Sequence, residues 1–64
     1  MTMSPDEERW AEALAVERLH GPGALAQAAA RIDALTLARD AAGVERWRRI
    51  AARLALLAGP VAPQ

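Results

Sequence analysis

The stretch DAAGVERWRRIAARLALLA, residues 40–58, carries the clearest periodic signal in the chain. Its apolar side chains recur every three or four residues, which places them on one stripe of an α-helix. They are Val44, Trp47, Ile50, Ala51, Leu54, Leu57 and Ala58. Asp40 is a preferred helix N-cap, and Gly59-Pro60 is a helix stop. The stretch therefore predicts a helix over 41–58 that turns one face to a core.

The segment SPDE at residues 4–7 predicts the start of an earlier helix. Ser4 can cap the first free N–H groups, Pro5 suits the first helical position, and Glu7 completes a capping box. Gly21 can take the left-handed conformation that ends a helix. We therefore predict a helix over 4–20.

The remaining segment predicts a helix over 23–39. Leu25, Ala28, Ile32 and Leu35 lie three or four residues apart and define one face. We find no alternating, β-branched run of the kind that forms strands. Because the connections are short, the helices must fold back on one another. We predict an all-α fold, a small three-helix bundle.

We expect one helical domain over residues 1–64, with flexible ends at 1–3 and 59–64 and a short disordered C-terminal tail. Alanine accounts for 17 of the 64 residues, so the core is poor in large side chains. Trp10 and Trp47, the only aromatic residues, supply the missing bulk. The predicted core comprises Trp10, Leu14, Leu25, Ile32, Leu35, Val44, Trp47, Ile50 and Leu54.

The composition argues against most chemistry. There is no Cys and only one His, so neither a disulfide framework nor a thiolate metal site is expected. Glu17 and His20 have the spacing seen in dimetal helical proteins, but the second predicted helix offers no Glu. The hydroxyl residues have no base nearby in the sequence. We expect no enzyme, no metal and no cofactor.

The sequence also predicts a location. No apolar run reaches the roughly 18 residues of a membrane span, and the N-terminus has no basic start followed by an apolar segment. We therefore expect a cytoplasmic protein with no membrane contact.

Charge is segregated along a chain whose formal net charge is zero. The first predicted helix carries five acidic residues and two arginines, whereas the third carries one Glu and four arginines. These opposite charges should attract and orient the two helices. Arg46, Arg49 and Arg53 form one strip that could meet an acidic protein or a phosphate backbone. The net charge of zero argues against nucleic-acid binding as the main function. Weak nucleic-acid binding through this strip is the alternative.

Some leucines fall away from the main apolar stripes. Leu19, Leu37 and Leu56 have little interior to enter in a domain of this size. Together with the Arg46, Arg49 and Arg53 strip, they are the predicted contact surface. The predicted function is a non-enzymatic module for protein interaction or self-association, as a homodimer or higher oligomer. The alternative is a small regulator, antitoxin-like or a phage-type inhibitor, that binds a larger protein.

A pattern spread over about residues 7–57 resembles a known group. Its elements are His20-Gly21, an Ala at 28 or 29, RIDAL at 31–35, Asp40, Gly43, Trp47, Ile50 and Leu54. They resemble an uncharacterised family of short helical proteins from α-proteobacteria, and ERWAEA at 8–13 is similar to its sphingomonad-like branch. The resemblance implies a helical architecture and no known activity. It departs at Arg39, where the group often has Gly, which implies a tighter or more strained turn.

Overall fold

The structure, a computed structural model, describes residues 2–59. It contains α1 (Pro5–His20), α2 (Ala24–Leu37) and α3 (Ala41–Ala58), with α1 joined to α2 by a 3-10 turn, Gly21–Gly23. No strand occurs within the described range. The all-α prediction is confirmed.

The prediction of three separate helices is wrong. Because α1, the Gly21–Gly23 turn and α2 follow one another without a non-helical residue, the chain forms two uninterrupted helical stretches, 5–37 and 41–58. Within the first stretch, α1 ends at His20, because Gly21 leaves the α-helical conformation with φ +54° and ψ −128°. Pro22 is tolerated there since the first helical position needs no N–H donor, and the N–H of Ala24 donates to the carbonyl of Gly21.

The predicted start of α1 is confirmed in detail. The backbone N–H of Glu7 donates to the Ser4 hydroxyl oxygen over 3.2 Å, and the Ser4 N–H donates to Glu7 Oε1 over 3.1 Å. This reciprocal pair is the capping box, with Pro5 at the first helical position. Three acidic residues in the first turn also stabilise the positive end of the helix dipole.

The corner between α2 and α3 is longer than the sequence predicts, because three residues rather than one separate the two helices. α2 ends at Leu37 rather than 39. The N–H of Asp40 donates to the carbonyl of Leu35, and the N–H of Arg39 donates to that of Thr36, both over 3.0 Å. These bonds form a Schellman motif, whose left-handed position is normally Gly. Arg39 occupies that position with φ +60°, as the missing glycine implies.

Asp40 ends one helix and begins the next. Its backbone closes the Schellman motif, and its Oδ1 accepts a hydrogen bond of 2.9 Å from the N–H of Gly43. A Cβ on Gly43 would lie 2.6 Å from Asp40 Oδ2 and 3.1 Å from Leu35 Cδ2. The absence of a side chain at 43 therefore allows the cap and the close approach of Leu35.

α3 ends at Ala58, as predicted. Gly59 adopts φ +77° and donates its N–H to the carbonyl of Leu56 over 3.1 Å. Met1 and the rest of the predicted tail, residues 60–64, lie outside the described residues.

The core is built mainly from small side chains. Its fully buried members within residues 2–59 are Ala13, Ala24, Ala28, Ile50 and Leu54. Ile50 and Leu54 come from α3, and the three alanines bring α1 and α2 close to them. Four partly buried residues pack around this cluster: Val16, Trp47, Ala51 and Leu57.

Two residues predicted for the core lie elsewhere. Leu14 is 39 % exposed and Leu25 is 43 % exposed. The smaller neighbours Ala13 and Ala24 take the inward positions instead, because only a methyl side chain lets the helix backbones approach this closely. The other predicted core residues besides Ile50 and Leu54 are half-buried: Trp10, Ile32, Leu35, Val44 and Trp47.

Contacts between side chains show how α2 and α3 are aligned. α2 and α3 run antiparallel, since Leu35 lies beside Gly43 and Arg31 lies over Trp47 one turn further from the corner. α3 packs against both α1 and α2, whereas α1 and α2 contact each other far less. α3 is thus the central element of the fold.

Replacing Arg39 with Gly should stabilise the protein. A residue with a Cβ costs about 1–2 kcal/mol in the left-handed conformation, and Gly removes that cost. We expect Arg39→Gly to raise the free energy of unfolding by about 1 kcal/mol, measured by urea denaturation. Arg39→Ala is the control, because it removes the long side chain but keeps the Cβ. Equal effects of the two substitutions would contradict the strain argument.

Candidate interaction surfaces

Ion pairs join α1 to α3. Arg53 pairs with Asp6, and Arg46 pairs with Glu12. Glu12 is also held by Arg9 of its own helix, 3.0 Å away. The predicted attraction between the acidic first helix and the basic third helix is therefore confirmed, and it takes the form of two named pairs.

Arg53 is the less exposed of the two α3 arginines that pair with α1. Its guanidinium lies 5.5 Å from the centre of the Trp10 ring and donates to the carbonyl of Arg49 over 3.1 Å. Its side chain is only 18 % exposed. The guanidinium therefore holds an aromatic ring and the Asp6 carboxylate of α1 against α3, and both contacts favour the docked helix.

The arginines of the predicted strip are each paired with a carboxylate. Arg49 pairs with Glu45 one turn earlier on α3, with 3.3 Å between Nε and Oε1. Arg46 and Arg53 pair with α1, as described above. Each of the three arginines therefore faces a carboxylate, which reduces the positive field that a phosphate backbone would meet.

Leu19, Leu37 and Leu56 are all largely exposed, but they do not form one surface. Leu37 lies opposite the start of α3, whereas Leu56 lies near its end. The two are about 22 Å apart along the axis, since each helical residue rises about 1.5 Å. The antiparallel register therefore places Leu37 and Leu56, two of the predicted contact residues, at opposite ends of α3.

A groove of about 380 Å³ lies at the end of the molecule that holds the Gly21–Gly23 turn. Its lining residues are Glu17, Gly21, Pro22, Ala24, Leu25, Leu54 and Ala58. Leu19 and Leu56 are exposed at the same end. We call the groove together with Leu19, Leu25 and Leu56 the turn-end surface. The sequence alone does not predict this grouping of residues, because the grouping arises only when α3 ends beside the Gly21–Gly23 turn.

A second concave region lies at the opposite end, and most of its lining residues are polar. It encloses about 470 Å³ and is lined by Thr36, Arg39, Asp40, Ala41, Val44, Glu45 and Arg48. Its charged residues are of both signs, and Asp40 is engaged as the cap of α3. Leu37 is exposed near this end, and so is Met3, two residues before Pro5, which lines one cleft with Ala42 of α3. This end therefore groups fewer large exposed apolar side chains than the turn end.

Between residues 2 and 59, no group of three or more His, Cys, Asp or Glu side chains is placed to hold a metal ion. Over the same residues, no helix has the length and apolar character needed to cross a bilayer.

Comparison with known families matches residues 5–60 to the model of a family of unknown function, DUF6961. The chain belongs to this family. No curated protein and no solved structure matches it. The resemblance to an uncharacterised family is thereby confirmed, and the DUF6961 match assigns no activity.

Arg53→Gln should weaken the docking of α1 far more than Arg49→Gln. The first change removes the Asp6 pair and the Trp10 contact from a nearly buried side chain, whereas the Arg49 side chain is 59 % exposed. We expect losses of about 1–2 kcal/mol and less than about 0.5 kcal/mol in unfolding free energy, measured by urea denaturation. Similar losses for both variants would show that the Arg53 contacts do not hold α1.

Proposed function

We propose that this DUF6961 chain is a non-enzymatic self-association module that works as a homodimer or higher oligomer. One observation carries the proposal: the chain leaves more large apolar side chains exposed than it buries. Within residues 2–59 only Ile50 and Leu54 are large and buried, whereas six large apolar residues are exposed. These are Met3, Leu14, Leu19, Leu25, Leu37 and Leu56.

The energetics of small domains favour this interpretation. A chain of about 60 residues buries only about 60 % of its unfolded surface, and small domains commonly add a disulfide, a metal, unusually well-packed helices or association. The sequence has no Cys, and three of the five buried core residues are alanines. Burial of exposed leucines against a second copy would supply apolar contact that one copy lacks.

The turn-end surface is our proposed contact with the second copy. It combines Leu19, Leu25 and Leu56 with an apolar groove in one region, and apolar patches of this kind mark interfaces. Leu37, which lies at the other end, is outside it. The sequence predicts a contact through Leu19, Leu37, Leu56 and the arginine strip. Our proposal places the contact with the second copy at the turn-end surface alone.

Catalysis has less support, since two of the three hydroxyl side chains make local hydrogen bonds. The Ser4 hydroxyl oxygen accepts the Glu7 N–H, and Thr36 Oγ1 donates to the carbonyl of Ile32 over 2.8 Å. Nucleic-acid binding also has less support, because Arg46, Arg49 and Arg53 each face a carboxylate. A regulator that binds a larger protein would use the same turn-end surface, so the oligomeric state of the purified chain separates it from self-association.

Sedimentation velocity of the purified chain tests the proposal. We expect the weight-average mass to rise towards a dimer or higher oligomer as the concentration increases through the micromolar range. A folded chain that stays at 6.8 kDa throughout would contradict self-association.

Three leucine substitutions locate the contact. We expect Leu19→Gln and Leu56→Gln each to weaken association about tenfold, because each removes about 1–2 kcal/mol of apolar burial. Leu37→Gln is the matched control and should leave the association constant unchanged. All three side chains are largely exposed, so the fold should tolerate each change. A larger effect of Leu37→Gln would move the interface to the other end.

A further inference from the structure

We propose that the second copy is bound by exchange of α1. In this arrangement α1 of one copy docks on α3 of its partner, and the reverse, with the Gly21–Gly23 turn as the hinge. The inference rests on the proposed self-association and specifies how the two copies meet. Exchange of an identical element is a recognised route to a dimer.

The docking of α1 depends more on polar contacts than on a core. Ala13 is the one fully buried residue that α1 contributes. Val16 is partly buried against the core cluster, and the helix is otherwise held by the Asp6–Arg53 and Glu12–Arg46 pairs and by the Trp10–Arg53 contact. α1 also shows almost no separation of apolar from polar residues around its circumference, unlike α3. Release of α1 therefore exposes little apolar surface of its own.

Every copy of the chain carries the same α1 and the same α1-binding residues on α3. The α3 helix of one copy can therefore bind α1 of either copy. Arg46 and Arg53 would meet Glu12 and Asp6 of a partner in the same way as those of their own chain. The exchanged and unexchanged forms thus share this contact. The balance between them depends on the hinge and on new contacts between copies.

Gly21 allows the hinge to adopt a second backbone conformation. Gly21 adopts φ +54° and ψ −128°, which side-chain-bearing residues rarely adopt. A Cβ on Gly21 or on Gly23 would meet nothing within 4 Å, so these two positions face open space. Because Pro22 disfavours the helical region for the residue before it, an extended Gly21 is readily available. That conformation would carry α1 away from α2.

The hinge also lies where the exposed leucines are. The turn itself lines the apolar groove, together with Leu25, Leu54 and Ala58. In an exchanged dimer the two hinge regions come together, which brings one turn-end surface against the other. Exchange and burial of the turn-end leucines are therefore parts of one interface.

Cross-linking between copies tests the exchange, because the chain has no native Cys. Chains carrying Glu12→Cys and chains carrying Arg46→Cys are mixed, unfolded and refolded together at high concentration. They are then treated with a short bifunctional thiol reagent. An exchanged dimer should give a heterodimer linked between positions 12 and 46, identified by peptide mass spectrometry. The Glu12→Cys/Arg46→Cys double variant is the reach control, and when dilute it should cross-link within one chain.

The outcomes separate the two proposals. A dimer by sedimentation that gives no link between position 12 of one chain and position 46 of the other overturns the exchange and leaves self-association standing. A chain that is monomeric at every concentration overturns both.

Substitution of the hinge gives an independent test. Gly21→Ala penalises the positive φ of the closed turn, whereas Gly23 has an ordinary negative φ of −85° that Ala accepts. We expect Gly21→Ala to raise the dimer association constant roughly tenfold and Gly23→Ala to leave it unchanged. Sedimentation equilibrium measures both constants, and far-UV circular dichroism checks that both variants remain helical. An association constant for Gly21→Ala equal to or below that of Gly23→Ala contradicts the exchange.

Discussion

The close approach of α1 and α2 to Ile50 and Leu54 of α3 is the contact on which the remaining structure depends. It is possible because Ala13, Ala24 and Ala28 occupy the inward positions. Small side chains permit tight packing, but each buries little apolar area and contributes little free energy. The fold therefore relies on other interactions to hold its periphery, and the ion pairs between α1 and α3 serve that role.

The two ends of α2 are fixed in different ways. At the corner with α3, backbone hydrogen bonds and the Asp40 cap define one geometry, and Gly43 leaves room for it. At the turn with α1, neither the Gly21–Gly23 turn nor α2 begins with a side-chain cap, and a Cβ on either glycine would face open space. The α2–α3 pair is therefore the more firmly determined unit, and α1 is the element attached to it.

Local signals in the sequence predicted the helix ends best. Ser4, Glu7, Asp40 and Gly59 act on their immediate neighbours, so their effect does not depend on the tertiary fold. The core was harder to predict, because alanine fits a close helix contact and an exposed helix face equally well. The sequence pattern therefore predicts inward positions for Leu14 and Leu25, which their neighbours Ala13 and Ala24 occupy in the structure. The charge pattern predicted that α1 and α3 attract, but the pairing of Arg53 with Asp6 depends on a register that no local pattern specifies.

Each tryptophan lies against an arginine of a different helix. Trp10 of α1 lies near Arg53 of α3, and Trp47 of α3 lies near Arg31 of α2. Since these are the only two aromatic residues, the fluorescence of Trp10 reports on one interhelical junction and that of Trp47 on the other. Detachment of the N-terminal helix could thus be followed optically while the remaining hairpin stays intact.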